Sequence, residues 1–243
     1  MRRRSSAPLI RLTIALCGIL VLSGCAGTVV RSAPTPAPTS QAATPPTGDG
    51  TVRIGTLFAM TGDGSALGAA QVAGSELAAR EIIEQGLVLG TPIELVHRNS
   101  AGDLPAALAD LLARGVDVVL WDAGSPVPAE VASATKSARV ALLALGEFAN
   151  GGTPLAADEV FAARLRTMDP GLTDTAGGGE SYDGVVLTAL AATQADDDGG
   201  TSVAPAFERV SSGPVTCSTW GECAVALADA QQIAYEGVTG RRS

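Results

Sequence analysis

Lysine is almost missing from this chain: 15 of its 16 basic residues are arginine, and Lys136 is the exception. Histidine occurs once, as His97, and aromatic residues make up only 3% of the 243 residues. Acidic residues outnumber basic ones 25 to 16, for a formal charge of −9. That balance argues against nucleic acid as a partner, because phosphate binding needs a positive field. The apolar run in 12–22 falls short of the roughly 20 residues that a transmembrane helix needs. What is present is apolar substance: 46% hydrophobic residues against 17% charged, with a mean hydropathy of +0.27. A chain of this composition can bury a core and is not disordered.

Candidate catalytic and metal chemistry is equally sparse. Nothing marks a serine or cysteine nucleophile beside His97, which reads as a structural or surface histidine. Gly62-x-Gly64 is neither a dinucleotide fingerprint nor a phosphate loop with its lysine. Asp196-Asp197-Asp198-Gly199-Gly200 lacks the spaced ligands of a calcium loop and reads as an acidic, solvated turn after a helix. No cofactor is implied, and an enzyme is the least supported class.

The first segment reads as an export label. Arg2, Arg3 and Arg4 precede the apolar run, which ends in Leu22-Ser23-Gly24-Cys25. That order fits a signal peptide over 1–24, and the final four residues resemble a bacterial lipobox. The resemblance makes Cys25 the lipidated anchor; the alternative is an unprocessed signal anchor with an incidental cysteine. Cleavage before Cys25 removes four of the 16 basic residues and none of the 25 acidic ones, leaving −13. So negative a surface is not drawn to anionic headgroups, and attachment then rests on acyl chains. Residues 25–50 form a Pro/Thr/Ala-rich tether with five prolines, extended because it has nothing to bury; the composition equally suits a glycosylated stalk.

In an exported chain Cys17 leaves with the signal and Cys25 is consumed by lipid. Cys217 and Cys223 remain, an even pair in an oxidising compartment that reads as a local disulfide around Trp220. Two cysteines and one histidine do not make a four-ligand zinc site.

From residue 51 the pattern alternates. Apolar runs at 52–58, 92–96, 117–121 and 140–145 read as strands. The helices between them are a stretch carrying Val72, Leu77, Ala78, Ile82 and Ile83 at near-helical spacing, then 106–114 closed by Gly115, then 128–138. Three β-α-β units in series predict an α/β fold, a parallel sheet with helices on both faces. Ligands of such sheets sit beyond the carboxyl ends of the strands. The loops there are 60–68, 122–126 and 146–152, and two of them feed helix N-termini, where free amides favour a small carboxylate.

Arg53-Ile54-Gly55, Met60-Thr61-Gly62, Ala73-Gly74-Ser75-Glu76-Leu77-Ala78 and Asn99-Ser100-Ala101-Gly102-Asp103 resemble the opening of branched-chain amino acid binding proteins, the type I periplasmic clamshells of ABC importers. Glu180-Ser181-Tyr182-Asp183-Gly184-Val185, Cys217 with Trp220 and Cys223, and Tyr235-Glu236-Gly237-Val238-Thr239-Gly240 are similar to the C-terminal part of actinobacterial members. Between about 153 and 161 the chain passes directly from first-half to late motifs. The resemblance therefore implies one lobe over 51–243, with βα repeats in 51–152 and returning helices plus the disulfide loop in 153–243. The helix over 182–195 would dock on the first sheet.

By the same resemblance, ligand contacts fall on Thr61 and Gly62, on Gly124 and Ser125, and on Gly146, Glu147 and Phe148. Glu147 departs from the small or hydroxyl residues usual there; it would pair with a ligand amine or repel a carboxylate. Each residue also has a plainer reading: the glycines as turn formers, and Ser125 as a helix cap. The implied role is that of a solute-binding lipoprotein with an amino-acid-like solute and an ABC permease as partners. It would sit at the extracytoplasmic face of the membrane. A single lobe offers an open shelf, so binding would be weak or completed by a second chain. The alternative is a shortened, non-transporting surface module for interaction or sensing.

Overall fold

The computed structural model describes residues 48–148 and 153–242; Cys17, Cys25, the signal and most of the tether lie outside them. Four parallel strands, β1 (Arg53–Phe58), β2 (Glu94–Asn99), β3 (Val118–Trp121) and β4 (Ala141–Ala144), form a sheet in the order β2-β1-β3-β4. Between them run α1 (Ser65–Gln85), α2 (Leu104–Ala113) and α3 (Ala129–Ala138). The βα alternation read from the sequence is present, as an α/β lobe built on a parallel sheet.

Strand side chains alternate between the faces of a sheet, so each strand supplies two cores. Ile54, Phe58, Val118, Leu120 and Leu143 join the core under α1, whereas Leu57, Val119 and Trp121 meet Leu108, Leu111 and Val131 of α2 and α3. One residue departs from the pattern expected of α1: Ile83 is 45% exposed.

The rest of the chain returns to the first core. After α4 (Glu159–Leu165), α5 (Gly178–Ala195) is buried at every position from Gly178 to Ala192. From Gly184 to Ala192 it is apolar all round but for Thr188, as an interior helix must be. Here α1, the sheet, α6 (Gly200–Ser211) and α7 (Trp220–Ala228) all pack against it. Small residues allow the approach. A Cβ at Gly74 would lie 2.0 Å from the Gly178 carbonyl oxygen.

A second sheet, β5 (Val215–Cys217), β6 (Ile233–Gly237) and β7 (Gly240–Arg241), contributes Ile233 and Tyr235 to that same core. Buried Asp183 holds the turn after β6, accepting from Tyr235 Oη at 2.8 Å, Val238 N at 3.0 Å and Thr239 N at 2.8 Å. Cys217 and Cys223 form a disulfide with 5.3 Å between Cα atoms, and Trp220 inside that loop is buried.

The acidic run after α5 corrects the sequence reading. Asp197 and Asp198 are buried rather than solvated. Asp197 accepts the Gly48 amide at 3.0 Å, and Asp198 accepts those of Asp49, Gly50 and Thr51 at 3.0–3.2 Å. A burial that local composition disfavours is made possible by four consecutive backbone donors from the entry to β1.

Candidate functional site

The loop after β3 is built from its buried end outward. Asp122, 5% exposed, accepts from the Gln71 side-chain amide at 3.0 Å and from the Gly124 backbone N–H at 2.7 Å. The other end of Gln71 accepts the Ala123 N–H at 2.8 Å. One glutamine on α1 thus holds two consecutive residues of the loop directly, and the third, Gly124, through Asp122. The Trp121 indole donates to the Ser125 carbonyl at 2.9 Å and holds the far end. Ser125 is not the cap of α3, as the plainer sequence reading had it. Pro128 occupies the N-cap position and offers no side-chain acceptor, leaving the first amides of α3 uncapped.

Beside this loop lies a cavity of about 350 Å³, lined by Gly124, Ser125, Pro126, Val127, Gly146 and Glu147. Four of the seven expected ligand contacts therefore meet across the carboxyl ends of β3 and β4. The other three lie elsewhere. Phe148 turns into the main core and is 4% exposed, so its side chain forms no part of the shelf surface. Thr61 and Gly62 are exposed in the loop after β1, outside the lining of this cavity. There Asn99 organises the chain, donating to Thr61 Oγ1 at 2.8 Å and accepting the Met60 N–H at 2.9 Å.

Glu147 has a partner that local sequence did not disclose. Arg242 binds its carboxylate through Nε and a terminal nitrogen and sets its guanidinium carbon 6.0 Å from the Phe207 ring centroid. Glu180 on α5 supports the chain just beyond: one carboxylate oxygen accepts the Leu155 N–H at 2.6 Å, while the other has no hydrogen-bond partner among the described residues. Burial pushes this carboxyl above the ordinary range.

His97 bridges three elements, 2.7 Å from Thr56 Oγ1 and 3.0 Å from Glu76 Oε1. Thr56 is fully buried, which keeps its hydroxyl from acting as a nucleophile on a solute. A second cavity of about 460 Å³ lies alongside, lined by Met60, Ser65, Ala69, Val72, Glu76 and Met168 among others. Among the described residues no cluster suits a metal ion, and no helix is long and apolar enough to cross a membrane.

Residues 51–164 match the family model described as periplasmic binding protein. The branched-chain amino acid transporter substrate-binding protein LivJ from Streptococcus pneumoniae, in complex with isoleucine, has a TM-score of 0.55. That match covers 79% of this chain and 91% of LivJ at 13% identity, and it speaks to the fold. The leucine-binding protein LivK from Thermotoga maritima gives 0.44 at 12% identity, covering 65% of this chain and 87% of its own. An extracellular ligand-binding receptor from Rhodopseudomonas palustris gives 0.31 at 24% identity, covering 39% and 26%. No curated protein matches the chain. The matched segment runs from the entry of β1 into α4 and carries every loop of the shelf.

Proposed function

We propose that this chain is an extracytoplasmic solute-binding lipoprotein of an ABC importer, anchored through Cys25, with an amino acid or similarly small polar carboxylate as its solute. The observation that carries the reading is the cavity of about 350 Å³ at the strand ends, where Gly124, Ser125, Gly146 and Glu147 converge. Its position beyond the carboxyl ends of parallel strands is where such sheets bind ligands. The isoleucine held by LivJ, which shares the fold, supports an amino-acid-like solute. The permease of the importer is the expected partner.

A second reading is a non-transporting surface module. It draws on the openness of the shelf: among the described residues no second lobe faces the cavity, and solute affinity depends on burying most of the ligand. A thermal-shift panel of the twenty amino acids separates the two. A specific stabilising ligand supports solute binding. A flat panel, with a protein partner recovered by crosslinking on cells, supports the surface module. Vesicle flotation of the processed chain and of its Cys25→Ser variant tests the anchor; only the former is expected to float.

A further inference from the structure

We infer that the outer face of α1 is a docking site for a basic amphipathic helix of a partner protein. This face is distinct from the shelf, and its use does not depend on a solute bound there. Ser65, Ala69, Val72, Glu76, Arg80 and Ile83 follow one another at steps of three or four residues, which places them in one stripe along the helix. Two cavities lie beside the stripe. The first is the one of about 460 Å³ next to His97; the second, of about 550 Å³, is lined by Ala79, Ile83, Ile93 and Leu95 among others. They adjoin, because Glu76 and Met168 line both. From Ser65 in the first to Glu84 in the second, at 1.5 Å per residue, the pair of hollows extends about 28 Å. The bank facing α1 is apolar, built from Met60, Met168, Ile93 and Leu95.

α1 is apolar on more than the face it buries. Ala70, Leu77, Ala78 and Ile82 enter the main core, while on the opposite face Val72 is half-buried and Ile83 is 45% exposed. A surface helix ordinarily gives its outer face to polar residues, so an isoleucine left open over a cavity is surface for a partner to cover. A second helix with apolar residues at the same steps of three and four fits such a stripe ridge into groove. The charges select which helix. The two cavities are lined by Glu76, Glu84 and Asp169 against one guanidinium, that of Arg80, which lies 3.8 Å from Glu84. Glu76 is paired with the His97 imidazole at 3.0 Å, and the Asp169 carboxylate accepts the Gly171 N–H at 2.9 Å. The lining therefore keeps an excess of one negative charge with His97 protonated and two with it neutral. An anionic lipid surface would be repelled, and a second copy of the chain would bring a face of the same sign. Lysine or arginine flanking the apolar stripe of a partner helix would complement it.

The test uses the full-length Cys25→Ser chain and a labelled peptide of about 18 residues, five helical turns, with leucine at steps of three and four and lysine or arginine elsewhere. Fluorescence anisotropy is read for this peptide, for a scrambled peptide of the same composition, and for one with glutamate in place of every basic residue. The first is expected to bind at least tenfold more tightly than either control. Ile83→Asp is expected to weaken it at least tenfold. Val160→Asp, at a position 75% exposed on α4 and outside both cavities, is expected to leave it unchanged. The two variants add the same charge, so attraction to net charge alone would not weaken binding in either. Equal binding of the scrambled peptide, undiminished binding to Ile83→Asp, equal weakening in Val160→Asp, or no binding of the basic peptide overturns the inference. So does a dimer in analytical ultracentrifugation that Ile83→Asp disrupts, or binding to phosphatidylglycerol vesicles that it abolishes, since these assign the face to a second copy or to lipid.

Discussion

Gln71 and Asp122 lie 51 residues apart in sequence and 3.0 Å apart in space, and their hydrogen bond joins the first helix to the shelf loop. Both are buried. Replacing Gln71 with leucine would leave the Ala123 N–H without its partner and strip Asp122 of one of two donors. Unsatisfied buried groups cost about 1–3 kcal/mol each, so Gln71→Leu is expected to lose roughly 2–4 kcal/mol in urea unfolding. Gln71→Glu should be worse at neutral pH than at pH 4, because it sets a second carboxylate against Asp122.

Asp117 couples stability to pH. Burial pushes its carboxyl up to about 7 despite the hydrogen bond from the Arg53 N–H, and the neighbouring Asp198 and Asp49 add repulsion. In the unfolded chain the group titrates near 3.8. Between those values the folded state holds a proton that the unfolded state has released. This site's contribution is therefore fully present below about pH 4 and is lost as pH rises toward 7. Asp117→Asn, which keeps an acceptor for Arg53, is expected to raise Tm at pH 8 and to change it little at pH 4. Parallel melts across that range check the sign.

The local disulfide closes a short loop, so its effect is bounded. Chain-entropy arithmetic for the loop between Cys217 and Cys223 gives about 2 kcal/mol. The Cys217→Ser/Cys223→Ser variant is expected to unfold at correspondingly lower urea while retaining the fold. Differential scanning calorimetry of the untreated chain with and without dithiothreitol should reproduce most of that difference.

How much of this was legible in the sequence depends on how local each cause is. β1, β3 and β4 announce themselves as short apolar runs because both faces of the sheet are covered. β2 was expected at 92–96 but occupies Glu94–Asn99. Its second half, His97-Arg98-Asn99, is polar and reads as loop, yet Glu76, Asp110 and Thr61 supply partners from neighbouring elements. The same reason hid the burial of Asp197 and Asp198, whose donors come from residues 147–149 positions earlier. Of the shelf, the turn glycines and Ser125 were readable from their place after strands. Gln71 was not, since a glutamine in an alanine-rich helix looks like a surface residue until Asp122 is beside it. Arg242 carries no sequence signal at all for its pairing with Glu147.

The crossing of α1 and α5 offers a last test, because it links the core to the shelf through one atom's worth of space. A Cβ at Gly74 would meet the Gly178 carbonyl oxygen at 2.0 Å and Ser181 Oγ at 2.4 Å. One obstacle is backbone and the other a hydroxyl bound at 2.7 Å to the Gln71 carbonyl, so neither can swing aside without breaking something. Overpacking of this kind costs about 1–3 kcal/mol, and Gly74→Ala is expected near the upper end of that range, with Gly74→Val beyond it. Because Gln71 sits one turn earlier on α1, the displacement should also loosen the loop it holds. Hydrogen exchange at the Ala123 and Gly124 amides is expected to quicken in Gly74→Ala before the β1 amides do. Equal acceleration at both sites would mean that the helix crossing and the shelf loop are not coupled in this way.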